Sequence, residues 1–210
     1  MIETEAKGVL LVLSGPSGVG KGTVCKALLA RNPEVKLSVS ATTRAPRPGE
    51  VEGVSYFFKT REEFERMIAA GEFLEYMDVF GTNYYGTPRA YVEQQLFAGD
   101  DVLLEIDVKG AMNVKRIFPE AVLVFIAPPS METLKKRLVG RGTETEEAVK
   151  RRTQEAFAEM KLMPKYDYAV VNDVLEEAVR SIETILGAER LRAWRRTDLM
   201  NLCKEAGTDL

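Results

Sequence analysis

Residues 14–23 read SGPSGVGKGT, and their types and spacing suit a loop that wraps phosphate. Gly15, Gly18 and Gly20 let the backbone turn with positive φ and bring its N–H groups close to phosphate oxygens, with Pro16, Ser17 and Val19 between them. Lys21 follows, where its ammonium can reach β- and γ-phosphates. The usual loop continues with a magnesium-facing Ser or Thr. Here Gly22 stands in that place and Thr23 comes one residue late. A plain glycine-rich turn with an exposed lysine is the alternative, and it requires the order Gly-x-x-Gly-x-Gly-Lys after an apolar run to be coincidence.

The displaced hydroxyl narrows the chemistry. Kinases of nucleotides and small metabolites hold Mg²⁺ largely through water and the nucleotide phosphates, whereas GTPase-like switches use that hydroxyl as a metal ligand. Gly22 therefore favours a kinase. A second constellation lies in SVSATTRAPRPGEVEGVSYFF, residues 38–58, where Arg44 and Arg47 sit in a proline-stiffened loop ahead of Tyr56. Guanidinium forks bind phosphate bidentately and a phenol adds a donor, so a second phosphate cradle is one reading. A solvated basic turn is the other.

Elements able to position these groups are legible in the apolar pattern. Runs at 9–14, 101–107, 121–127 and 166–171 lack alternation, as strands do when both faces are covered. Helical patterns follow or separate them at 21–31, 110–116, 130–139, 145–163 and 174–194. The alternation predicts an α/β fold, a parallel sheet flanked by helices. Residues 36–98 break the rhythm with short aromatic strands (VSYFF, FLEYMDVF), turn signals (RPGE, GTNYYG) and a helix from Thr60 with Glu63 placed for a capping box. They read as an inserted mixed arm. Residues 137–152, charged and punctuated by glycine, read as a mobile flap.

Composition bounds the rest. A chain of 210 residues suits one α/β domain, and a net charge of −3 gives no bulk attraction to nucleic acid or anionic membrane. Any phosphate binding must be local. Two distant cysteines and no histidine argue against zinc and for a reducing compartment. The apolar run at the first strand is too short to span a bilayer and follows acidic residues, so a cytoplasmic protein without a membrane partner is expected.

From about residue 9 to 173 the chain resembles guanylate kinases, through GPSGVGKGT, SVSATTRAPRPGE, EYMDVFGTNYYGT, LLEIDVKG and FIAPPSMETLKKRLVGRGTETEE, in that order. The resemblance implies a P-loop NTPase-type core (about 7–36, 99–129 and 165–210), a GMP-binding arm (about 37–98) and a helical lid (about 130–164). It also implies ATP-dependent conversion of GMP to GDP, with Mg²⁺, no nucleic-acid partner, and dGMP an open question. Gly15 through Thr23 would hold ATP. Ser40, Arg44, Arg47, Tyr56 and Tyr85 fall to the acceptor, mainly at its phosphate, and Glu75, Thr87 and Glu105 to guanine. Guanine's N1–H and N2–H₂ suit a carboxylate and its O6 a hydroxyl; adenine reverses the pattern. Taken singly, Tyr85 is equally a core aromatic, Thr87 a helix cap and Glu75 an exposed strand residue.

The same resemblance gives Arg137 and Arg141 as ATP-facing arginines of the lid, with Arg152 a third that could reach the transferring phosphate; Asn172, at the carboxyl edge of the sheet where ligands of such folds bind, falls near adenine. Asp107 is either a carboxylate on the magnesium water shell or a cap at the strand's end. Glu105 departs from a frequent Asp, which makes its contact with the base less certain. Three rivals remain: a non-catalytic scaffold of the same fold, a kinase for another nucleoside monophosphate, and a GTPase switch.

Overall fold

The computed structural model describes residues 8–79, 81–139, 146–196 and 199. Along the chain run β1 (Leu10–Ser14), α1 (Lys21–Arg31), β2 (Lys36–Leu37), β3 (Ala41–Thr42), β4 (Phe57–Phe58) and α2 (Arg61–Ala69). Next come β5 (Phe73–Val79), β6 (Asn83–Pro88), α3 (Arg89–Ala98), β7 (Val102–Glu105), α4 (Val108–Ile117) and β8 (Val122–Ala127). The remainder is α5 (Met131–Val139), α6 (Glu146–Met160), β9 (Tyr168–Val171) and α7 (Leu175–Arg190).

The central sheet has the order β2-β7-β1-β8-β9 and is parallel throughout, as the apolar runs predict. Every residue of β1 and β8 is buried because helices cover both faces. Successive residues of β1 feed opposite layers. Leu11 and Leu13 join Val24, Leu28 and Ile182 on the α1–α7 side, while Leu10 and Val12 join Val114, Phe118 and Leu123 on the α4 side. Since β1 lies between β7 and β8, the loop leaving it emerges mid-sheet at the carboxyl edge, where ligands of open α/β sheets bind.

The second sheet, β4-β3-β6-β5, is built wholly from the segment between β2 and β7, and is antiparallel except for the β3–β4 pair. Its core is aromatic: Phe64 stacks on Phe73 at 4.2 Å and on Tyr84 at 5.2 Å between centroids. The capping box forms, with Glu63 N–H donating to Thr60 Oγ1 at 3.2 Å and Thr60 N–H to Glu63 Oε2 at 2.7 Å. In β5 the register shifts between Phe73 and Glu75. This bulge buries three successive side chains in different places: Phe73 enters the aromatic core and Leu74 the central core, leaving Glu75 for the groove between the sheets.

Several expectations were too simple. β2 and α3 went unread, VSYFF contributes only the two residues of β4, and most of GTNYYG is strand β6 rather than turn. The run at 101–107 stops at Glu105, because Asp107 already caps α4.

Candidate active site

The phosphate loop occupies the junction of β1 and α1. Gly20 precedes the helix at φ 95°, and Gly15 has no alternative residue, since a Cβ there would run into the main-chain carbonyl oxygen of Ile126 in β8. Behind the loop, Asn172 Nδ2 donates to Val19 O at 2.8 Å and Arg137 Nη1 to the same oxygen at 3.2 Å. Arg137 also donates to Asn172 O from both terminal nitrogens at 3.1 Å. In this structure these two residues brace the loop. Lys21 arches back, Nζ donating to Gly15 O at 2.7 Å and Pro16 O at 3.4 Å. Burial pulls its ammonium below the ordinary lysine value, against the charges of Glu105, Glu159 and Asp107.

The position of Gly22 has a structural reason. A Cβ there would lie 3.4 Å from Glu105 Oε1, so the carboxylate of β7 borders the space that a Ser or Thr side chain would enter. Burial raises the pKa values of both Glu105 and the Cys25 thiol of α1. Glu105 thus stands beside the loop and, with Lys21, borders the neighbouring cleft. Thr23, one residue on, is exposed on the first turn of α1.

That cleft, about 330 Å³, lies between the two sheets. Lys21, Ser40, Tyr56, Glu75, Tyr85, Glu105 and Asp107 all line it, so the loop's lysine and the inserted segment's polar groups face one space. Glu75 is only 6% exposed, which removes the exposed-strand reading. Burial pushes its carboxyl up to about 7, with the nearby Asp107 charge adding to the rise and Thr87 opposing it. Thr87 Oγ1 donates to Glu75 Oε1 at 2.8 Å and is itself fully buried. Here Thr87 stands behind Glu75 and orients it; the hydroxyl is not a cap of α3, whose N-cap is Pro88.

Tyr85 is half-buried on the cleft wall, not a core aromatic. Its hydroxyl accepts from Arg44 Nε at 3.2 Å, and its ring meets Tyr56 edge-on at 6.0 Å. Arg44 is further held by Glu50 at 2.8 Å and Ala45 O at 2.7 Å, with its guanidinium 5.4 Å from the Tyr56 ring centre. Arg47 is exposed, and its N–H donates to the other Glu50 oxygen at 2.7 Å. Glu50 therefore organises the whole arginine loop. Sequence reading took it only as part of a turn; a lone carboxylate six residues from Arg44, across two prolines, was the available signal.

From α6, Arg152 Nη2 donates to Ser17 Oγ at 2.8 Å. Arg141 lies outside the described residues. Asp107 Oδ1 accepts from Gly110 N–H at 2.7 Å, so the capping role is realised while the carboxylate still faces the cleft. Among the described residues no cluster of three or more acidic, Cys or His side chains could hold a metal ion. The donor set, one cleft-facing Asp and no hydroxyl at Gly22, fits an ion that arrives with nucleotide phosphates and keeps its water.

Comparison with known proteins gives this geometry a family. The guanylate kinase family model matches residues 7–189. The chain is 52% identical over 204 residues to a guanylate kinase of Clostridium perfringens, covering 97% of this chain and 94% of the relative. To that of Symbiobacterium thermophilum it is 55% identical over 191 residues, covering 91% and 90%. The crystal structure of guanylate kinase from Anaplasma phagocytophilum superposes with a TM-score of 0.79 at 39% identity, covering 95% of each chain. With a parallel sheet delivering the phosphate loop to the same cleft as Glu75 and Tyr56, and with relatives matching nearly end to end, this chain belongs to the guanylate kinase family.

Proposed function

We propose that the protein transfers the γ-phosphoryl group of ATP to GMP, forming ADP and GDP. The observation that carries this reading is the shared cleft. Lys21 of the phosphate loop and the buried carboxylate of Glu75 face one cavity, which Ser40, Tyr56 and Tyr85 also line, and Arg44 is bonded to the hydroxyl of Tyr85. A GMP phosphate oxygen attacks the γ-phosphorus in line, the bond to the β–γ bridging oxygen breaks, and ADP leaves with that oxygen. The acceptor is already anionic, so no general base is needed. The work left to the chain is positioning and neutralising spreading charge.

Each residue's role follows from its chemistry. The main-chain N–H groups within 15–20, of which Pro16 has none, and Lys21 hold the ATP phosphates, Arg44, Arg47, Tyr56 and Tyr85 take the GMP phosphate, and Glu75, set by Thr87, accepts from guanine N1–H and N2–H₂. Arg152 reaches the transferring group from α6. A Mg²⁺ bound with the nucleotide would be held through water beside Asp107 and would supply further charge neutralisation. On this reading residues 37–98 form a GMP arm and 130–164 a lid on a core made of the rest, in a cytoplasmic enzyme. A spectrophotometric assay coupled to ADP formation, run with ATP and each nucleoside monophosphate in turn, tests it. GMP should exceed AMP, CMP and UMP by orders of magnitude in kcat/KM. Comparable turnover of another acceptor, or none at all, would overturn it.

A further inference from the structure

Helix α4 meets β5 at the wall of the cleft, and the meeting point is a glycine. Gly110, in the first turn of α4, is buried and lines the cleft together with Glu75. Its N–H is taken by Asp107 Oδ1 at 2.7 Å, and its φ lies outside the left-handed region. Backbone conformation therefore does not demand glycine here, and alanine suits a helix better. The surroundings do demand it. A Cβ at Gly110 would lie 3.1 Å from Glu75 Oε2, with Asp107 Oδ1 and Ile106 Cδ1 next at 3.4 Å. What a methyl group meets first is thus the carboxylate, not main chain and not an apolar neighbour. Gly86, on the same cleft, differs: a Cβ there would run into the Phe73 ring, the Glu75 carbonyl oxygen and the Phe64 ring, so it is a glycine of close packing.

Glu75 is therefore set from two sides. Thr87 Oγ1 donates to Oε1 at 2.8 Å, and the bare α-carbon of Gly110 leaves room for Oε2. A carboxylate that accepts from two adjacent donors on a flat base must present its oxygens in the plane of that base. We infer that Gly110 is a specificity-determining position for the acceptor base: it contributes space rather than a contact, and a side chain there displaces the guanine-reading carboxylate. With one oxygen on Thr87 and only 6% of the residue exposed, the open space into which Glu75 yields is the cleft it lines. A shift of a few tenths of an ångström that way narrows the room for the base and turns the acceptor oxygens off its two donors. The nucleotide side is spared, because no atom of the phosphate loop comes as near to that Cβ as Glu75, Asp107 and Ile106 do. The inference rests on the phosphotransfer reading above, in which Glu75 takes guanine.

The test is steady-state kinetics of the full chain with GMP and ATP, for wild type, Gly110→Ala, Glu75→Ala and the double variant, beside urea denaturation of each. Gly110→Ala should lower kcat/KM for GMP about tenfold and leave KM for ATP within about twofold. On the Glu75→Ala background the same methyl meets no carboxylate, so it should change kcat/KM for GMP by less than about twofold. A purely structural glycine gives another pattern: the loss follows stability, touches both substrates and recurs without Glu75. That pattern overturns the inference, as does a Gly110→Ala enzyme that handles GMP like wild type. If Gly110→Ala fails to fold, the urea midpoints decide. Removal of Glu75 should then restore the fold in the double variant, and a double variant as unstable as the single one overturns the inference. Absence of GMP turnover in wild type would overturn the phosphotransfer reading and this inference with it, whereas the other failures leave that reading standing.

Discussion

Replacing Glu75 by Gln should separate guanine recognition from catalysis. In the folded protein the Thr87 hydroxyl donates to Glu75 Oε1 at 2.8 Å and fixes the side chain. An amide in that place keeps its oxygen on Thr87 and turns its NH₂ into the cleft, setting a donor against the donors of guanine. Hydrogen bonds to a charged group are worth roughly 1.5–3 kcal/mol, so kcat/KM for GMP should fall about ten- to a hundredfold, with far less change for AMP. The pH profile supplies a second sign. With burial raising the carboxyl to about 7, ionisation is lost as pH falls through that value, and at pH 6 kcat/KM for GMP should be up to about tenfold lower in wild type. This limb should vanish in the variant. The second ionisation of the GMP phosphate, near pH 6, affects both proteins and cancels in their ratio. Stability should move oppositely. A carboxyl whose folded pKa is raised to about 7 binds its proton more tightly in the native state, so its folding penalty is absent below about 4.5, grows as pH rises to 7 and is full above it. That penalty is roughly 3 kcal/mol at pH 8. Urea denaturation at pH 8 should find Glu75→Gln more stable than wild type. An unchanged GMP-to-AMP ratio of kcat/KM would refute the reasoning and pass guanine recognition to Glu105 or the backbone.

Other perturbations test the loop and its supports. Lys21→Ala removes the loop's only side-chain charge and should lower kcat by a hundredfold or more, about 3 kcal/mol at the transition state; near-normal steady-state turnover would sink the mechanism. Gly22→Ser brings a side chain to Glu105, where its hydroxyl finds a carboxylate, so activity across a magnesium titration should suffer less than in Thr23→Ala. A large gain in magnesium affinity and turnover would show instead that the loop is a damaged form of the usual one. Asp107→Ala strips the cap of α4 and should cost about 1 kcal/mol in chemical denaturation, and a variant as stable as wild type would mean the bond to Gly110 N–H contributes nothing.

Local order was legible wherever the chemistry is local. Unbroken apolar runs marked β1 and β8 because strands covered on both faces need no polar side, and Thr60 with Glu63 marked the start of α2 because a capping box closes within four residues. The loop from Gly15 to Lys21 could be read for the same reason: its glycines and lysine serve one turn of backbone. The short pieces β2 and β4 carry no period to detect, being two residues each and held only by pairing with distant strands.

Within the site, sequence supplied the residue types and tertiary structure decided what each one faces. Arg137 and Asn172 were legible as a guanidinium and an amide near the nucleotide, but both reach Val19 O, a contact between chain segments more than a hundred residues apart. Likewise, the order Phe73, Leu74, Glu75 shows an aromatic, an aliphatic and an acid without saying that a bulge sends them to one core, another core and the cleft. That assignment depends on the register between β5 and β6 and on the sheet lying against α4. A one-residue slip would turn Glu75 away, and the buried carboxylate that Thr87 now orients would be an exposed one.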